Sequence, residues 1–142
     1  MKGLNPKYNI KTIGGLNSMA HPAPGFKENP DHKVEISPLN GNLEIRAKGI
    51  KVATTAKALS VKESGLPEVF YIPLCDVNQQ VLLESKTTSY CPFKGRANYW
   101  SIQANGKNIT DAAWEYKDPY EECITLKEHV AFYSSKVDMT RG

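Results

Sequence analysis

The sequence predicts an all-β domain, mainly strand with little helix, arranged as a small sandwich or barrel of antiparallel strands. Three observations carry that expectation. Short apolar runs alternate with a period of two, as half-buried strands do. Two Asn-Gly pairs, Asn40-Gly41 and Asn105-Gly106, have the chemistry of tight hairpin turns, in which both central residues take positive φ. Gly and Pro punctuate the runs throughout, so few stretches are long enough for a helix.

Residues 1–32 are rich in Lys, Asn, Gly and Pro and show no hydrophobic period. They read as a flexible N-terminal arm, with residues 33–142 as a single β domain and residues 1–18 expected to be dispensable for folding. Val34-Glu35-Ile36 is the first alternating run, and Asn40-Gly41 turns it back towards Leu43-Glu44-Ile45-Arg46-Ala47. Gly49 interrupts, and Val52–Thr55 resumes. Residues 56–64 are ambiguous: Ala56 to Leu59 favour helix, while Leu59 and Val61 alternate as in a strand. Val69-Phe70-Tyr71-Ile72 is a strand by its β-branched and aromatic content, closed by Pro73. Val81-Leu82-Leu83 is a short apolar run. Residues 97–104 alternate, with Trp100 and Ile102 on one face and Tyr99, Ser101 and Gln103 on the other. Across Asn105-Gly106, residues 109–116 return as their partner. Thr110, Ala112, Trp114 and Tyr116 then share one face, and Ile109, Asp111 and Ala113 the other. Residues 120–128 read as a helical turn, and Val130–Tyr133 as a last strand.

The chain has 142 residues and a formal net charge of +3, with its charges interspersed. A nucleic-acid binder would show a concentrated basic stripe, so nucleic acid is not an expected partner, whereas anionic small ligands are compatible. The three cysteines, Cys75, Cys91 and Cys123, form no close pair and no disulfide framework. No apolar run has the length of a signal peptide or of a membrane span. A cytoplasmic protein with no membrane partner is therefore expected.

Four blocks carry a resemblance to a known family. They are Tyr71-Ile72-Pro73 with Asp76-Val77; Thr88-x-x-Cys91-Pro92-x-Lys94-Gly95; Tyr99-Trp100-Ser101; and Asp111-Ala112-Ala113-Trp114-x-Tyr116 with His129-Val130-Ala131-Phe132-Tyr133. In these the chain resembles the largely bacterial family of domains of unknown function numbered 427, over roughly residues 21–138. The resemblance implies an all-β, tent-like fold, similar in outline to methionine sulfoxide reductase B and the Mss4-like proteins, and implies no reaction. Tent-fold zinc sites use paired Cys-x-x-Cys knuckles, which this chain lacks, so folding without metal and without a cofactor is expected. The reductases' Arg-x-Cys-x-Asn setting is not reproduced at Tyr90-Cys91-Pro92. The nucleotidyltransferase label that the family has carried is not expected to apply, because the chain has neither Gly-Ser nor Asp-x-Asp.

Four residues are candidates for catalysis. Cys91 lies in turn chemistry with Lys94 three residues on, and a nearby cation favours the thiolate; alternatively it is a small buried hydrophobe. His129 could act as its base, or cap backbone groups beside its strand. Asp111 interrupts an apolar face and needs a partner such as Lys94, Arg46 or a tyrosine. Lys94 either is solvated at its turn or grips an anion at a pocket mouth. These four are expected to meet in one polar cluster, because separate burials of ionisable groups are costly. Tyr99 and Tyr116 are candidates for a pocket wall, and Tyr71, Thr88, Trp114 and Arg46 complete the expected ligand-binding set.

Two functional readings follow, and a third is carried beside them. The first is a small-molecule enzyme using the Cys91, His129, Asp111 and Lys94 cluster. The second is a non-catalytic module that binds a planar or anionic small molecule or a modified amino acid. The third is a homo-oligomer formed through strand edges. A pocket holding Cys91 and His129 within hydrogen-bond reach favours the enzyme, and an aromatic cage without a thiol favours the module.

Overall fold

The computed structural model describes residues 20–142, so the expectation for residues 1–18 falls outside the described residues. Ten strands are seen among them: β1 (Val34–Pro38), β2 (Leu43–Ala47), β3 (Ile50–Thr55), β4 (Leu59–Glu63), β5 (Val69–Pro73), β6 (Leu82–Cys91), β7 (Gly95–Ala104), β8 (Lys107–Tyr116), β9 (His129–Phe132) and β10 (Asp138–Arg141). They form a seven-stranded sheet in the order β1-β4-β5-β9-β8-β7-β6 and a three-stranded sheet in the order β10-β2-β3. The pairings between these strands are antiparallel. The result is sandwich-like rather than a closed barrel. No helix among the described residues is long and apolar enough to cross a membrane.

The hairpin read from Asn105-Gly106 is present. Tyr99 faces Trp114 across β7 and β8, and both turn residues have positive φ, 54° and 74°. The first Asn-Gly pair behaves differently. β1 pairs with β4 and β2 with β3 and β10, so Asn40-Gly41 joins two sheets instead of closing a hairpin. Pro38 ends β1 without an N–H to give, and Leu39 turns into the core. The hairpin that β2 does form turns at Lys48 and Gly49, with φ of 51° and 80°. Within the ambiguous stretch 56–64, Leu59–Glu63 forms strand β4, because Leu59 and Val61 pack on the sheet. β6 runs far beyond its apolar start because it is an edge strand whose residues are mostly exposed and therefore polar. The turn at 120–128 is a 3-10 segment, Glu121–Leu126.

Alternation along the large sheet divides its residues between two apolar clusters. Ile72, Ile102, Ala113, Val130 and Phe132 join Leu43, Ile45 and Val52 of the small sheet in the inter-sheet core. Val61, Tyr71, Ala97, Tyr116 and Ala131 form the other cluster, together with Cys123 and Leu126 of the 3-10 segment.

Residues 20–32, read from the sequence as part of a flexible arm, lie against the domain as a strap. A short helical turn, Gly25–Glu28, docks on the β6–β7 turn, with the Gly25 N–H donating to the Pro92 carbonyl at 2.9 Å. A side chain at Gly25 would meet the Phe93 ring and the Pro92 carbonyl at 2.7–2.9 Å, so the close approach needs glycine.

Candidate functional site

The second face of the seven-stranded sheet holds a cleft of about 220 Å³. Its walls are aromatic: Tyr71 from β5, Tyr99 from β7, Trp114 and Tyr116 from β8, and Tyr133 just past β9. Val61, Val69 and the β4–β5 turn residues Leu66 and Pro67 add apolar surface, and Glu63 and Lys94 supply the charge. Strand alternation explains the grouping, since Tyr99 and Trp114 are register partners and project from the same face. Trp114 and Tyr133 lie with ring centroids 4.5 Å apart, and Trp114 meets Tyr71 edge to face at 6.3 Å.

The charged end is a chain of three residues, Lys94 and Glu63 buried and His32 half-buried. Lys94 Nζ pairs with Glu63 Oε1, and the side chains are 7% and 8% exposed. Glu63 Oε2 accepts from His32 Nε2 at 2.8 Å, and the His32 ring stacks on Phe93 with centroids 3.9 Å apart. Both carboxylate oxygens of Glu63 are thus engaged, as a buried charge requires. Lys94 is positioned by its turn: its carbonyl accepts the Tyr120 N–H at 3.0 Å. Gly95 follows with φ of +121°, and a Cβ there would press on the Asp118 carbonyl at 3.2 Å.

Among the polar wall groups, the Trp114 indole N–H donates to the Tyr71 hydroxyl at 3.1 Å, and Ser89 and Tyr99 share a hydrogen bond of 2.9 Å. Tyr116 is only 7% exposed, yet its hydroxyl has no hydrogen-bond partner among the described residues. Burial holds the Tyr71 and Tyr116 phenols well above the usual tyrosine range, so both keep their protons. The Tyr133 phenol is pushed up to about 12, by desolvation first and then by its bond with Tyr99.

The four candidate catalytic residues do not share one contact network. Lys94 pairs with Glu63, not with Asp111. Asp111 sits in a bulge of β8 with φ of 52°, opposite the register shift between Trp100 and Ile102. The bulge breaks the alternation, so Asp111 leaves the apolar face shared by Ile109 and Ala113. Its carboxylate accepts from Ser85 Oγ at 2.6 Å and Thr87 Oγ1 at 2.7 Å of the edge strand β6, reaching across β7, which lowers its pKa. His129 starts β9 opposite Pro73, with its Nδ1 bonded to the Lys127 carbonyl at 2.9 Å, and it does not line the cleft. Cys91 packs against the cluster containing Tyr71 and Tyr116 but is likewise not a lining residue.

Of the expected ligand-binding set, Tyr71, Tyr99, Trp114 and Tyr116 line the cleft together with Lys94. Arg46 is on β2 of the other sheet, paired with Glu44, and Thr88 is exposed on β6 opposite Asn98. Sequence reasoning missed Glu63, Tyr133 and His32. A signal for Glu63 was present: Leu59, Val61 and Glu63 alternate on one face, which puts an acid on an apolar stripe. His32 carried none, because its partner is distant in sequence and its segment has no period.

No group of three or more His, Cys, Asp and Glu side chains among the described residues is placed to hold a metal ion. The profile of the domain of unknown function family DUF427 matches residues 35–142. The match covers most of the chain, which belongs to that family, in agreement with the four sequence blocks. A search of curated proteins finds no match.

Proposed function

We propose that this DUF427 domain is a binding module for a small planar molecule, received in the aromatic cleft of its seven-stranded sheet. The observation that carries the reading is the Tyr116 hydroxyl, buried at the cleft wall without a protein partner among the described residues. An unsatisfied buried hydroxyl costs about 1–3 kcal/mol, which a bound polar group would recover. The four other aromatic side chains of the wall supply flat apolar surface.

Size narrows the ligand. The cleft, at about 220 Å³, exceeds the roughly 150 Å³ cavity that takes benzene and falls short of the roughly 300–1,000 Å³ of clefts for drug-sized ligands. One ring or a fused pair of rings matches it. A nucleoside triphosphate would be left largely outside, which argues against a nucleotidyltransferase. Binding is favoured over catalysis because neither Cys91 nor His129 lines the cleft.

A screen of one- and two-ring fragments by protein NMR tests the reading. Binders should move the indole N–H signal of Trp114 and leave that of Trp100, which lies on the opposite face, in place. Cys91→Ser should bind them unchanged. Loss of binding in Cys91→Ser, or a library that never moves Trp114, would overturn the proposal.

A further inference from the structure

Resting on that reading, we infer that the ligand presents an oxygen acceptor, a carbonyl or carboxylate on a planar ring, to three donors of the cleft lining. The donors are the hydroxyls of Tyr71 and Tyr116 and the ammonium of Lys94.

The inference comes from counting protons and lone pairs. The Tyr71 oxygen accepts from Trp114, which leaves its own proton without an acceptor among the described residues. The Tyr116 proton is in the same position. Lys94 carries three N–H donors, of which one is directed to Glu63. The one carboxylate of the lining is engaged: Glu63 gives one oxygen to Lys94 and the other to His32. Tyr99 is engaged with Ser89. The lining's one carboxylate is therefore engaged at both oxygens, and what remains is two phenol protons and two ammonium N–H groups facing only hydroxyl lone pairs. Burial keeps both phenols protonated and fit to donate.

The same count decides against a competing ligand class. An aromatic cage by itself attracts a quaternary ammonium through its ring faces. Here such a cation would approach Lys94 with no uncommitted carboxylate in the lining to offset the repulsion. A ring bearing an oxygen acceptor uses the aromatic walls and meets the donors as well.

The test uses three probes on one ring system, titrated against the full chain with the Trp114 indole signal as readout. 2-Naphthoate and 2-acetylnaphthalene carry the acceptor; (2-naphthyl)trimethylammonium replaces it with a cation. The first two are expected to bind, with the cation at least tenfold weaker. Tyr116→Phe should weaken the acceptor probes about tenfold, the effect of losing one buried hydrogen bond. Tyr71→Phe provides the same measurement should Tyr116→Phe misfold, and Arg46→Ala should bind as the unaltered chain does. A cation that binds as tightly as the acceptor probes, or acceptor binding unmoved by both phenylalanine variants, overturns the inference while the planar-ligand cleft stands. Failure of all three probes to move Trp114 overturns both.

Discussion

The two faces of the seven-stranded sheet are built from alternate residues of the same strands, yet they differ in almost every physical respect. On β5, Ile72 enters the inter-sheet core while Tyr71 walls the cleft; on β7, Ile102 and Tyr99 divide the same way. The core face is mainly aliphatic, closed by the small sheet, and contains Ile45, Val52, Ile72, Ile102 and Val130 at 0% exposure. The cleft face is aromatic, carries a buried charge pair and leaves a hydroxyl unspent. One side is organised for cohesion, and the other keeps uncommitted polar groups at the expense of cohesion. The difference teaches that each face should fail in its own way.

The largest effect should come from breaking the charge pair on the cleft face. Lys94→Met leaves Glu63 buried without its ammonium partner and is expected to cost about 3–5 kcal/mol in denaturant unfolding. The double variant Glu63→Leu with Lys94→Met should recover most of that loss. A single variant with stability unchanged would show that the pair is solvated in solution.

On the core face the cost should come from a cavity instead. Ile102→Ala should lose about 2–5 kcal/mol without changing fragment binding at Trp114. Coupled loss of binding would mean that the two faces are not independent.

A smaller effect separates the faces by pH. Burial pushes the Cys123 thiol and the Tyr133 phenol up to about 12 from usual values of 9.0 and 10.0, and it raises Tyr71 and Tyr116 as well. Raised folded-state values favour the protonated groups. Their contribution is full below pH 9 and is lost as pH rises from there towards 12. Stability should therefore decline with alkali from about pH 9, and Tyr133→Phe should flatten part of the decline. The same burial orders the thiols for alkylation: exposed Cys75 first, half-buried Cys91 next and Cys123 last. The smallest effect is expected at Arg46→Ala, within about 0.5 kcal/mol, because its ion pair with Glu44 is solvent-exposed.

Much of the fold was legible because period-two patterning survives wherever a strand has one buried face. β5, β7, β8 and β9 could be read that way, and with them four of the five aromatic cleft residues. β10 and most of β6 could not, since their exposed residues leave no apolar trace. The candidate cluster was misread where local geometry overrode alternation. The Asp111 bulge moved that carboxylate to Ser85 and Thr87, and the real partner of Lys94 came from a segment 31 residues away. Burial cost was the right reason to give Lys94 a partner, but it does not say which acid serves.

The strap of residues 20–32 has a kinetic consequence. It is tied down by isolated bonds, such as Gly25 to Pro92, Ala23 to Glu122 and His32 to Glu63, with no ladder behind them. Segments held that way open at free energies below that of global unfolding. Amide exchange at Gly25 and Ala23 should run ahead of exchange in β5, β8 and β9. Each opening strips Glu63 of His32 while Lys94 stays in place. The lifetime of the complete Lys94–Glu63–His32 chain is then limited by how often this segment lifts.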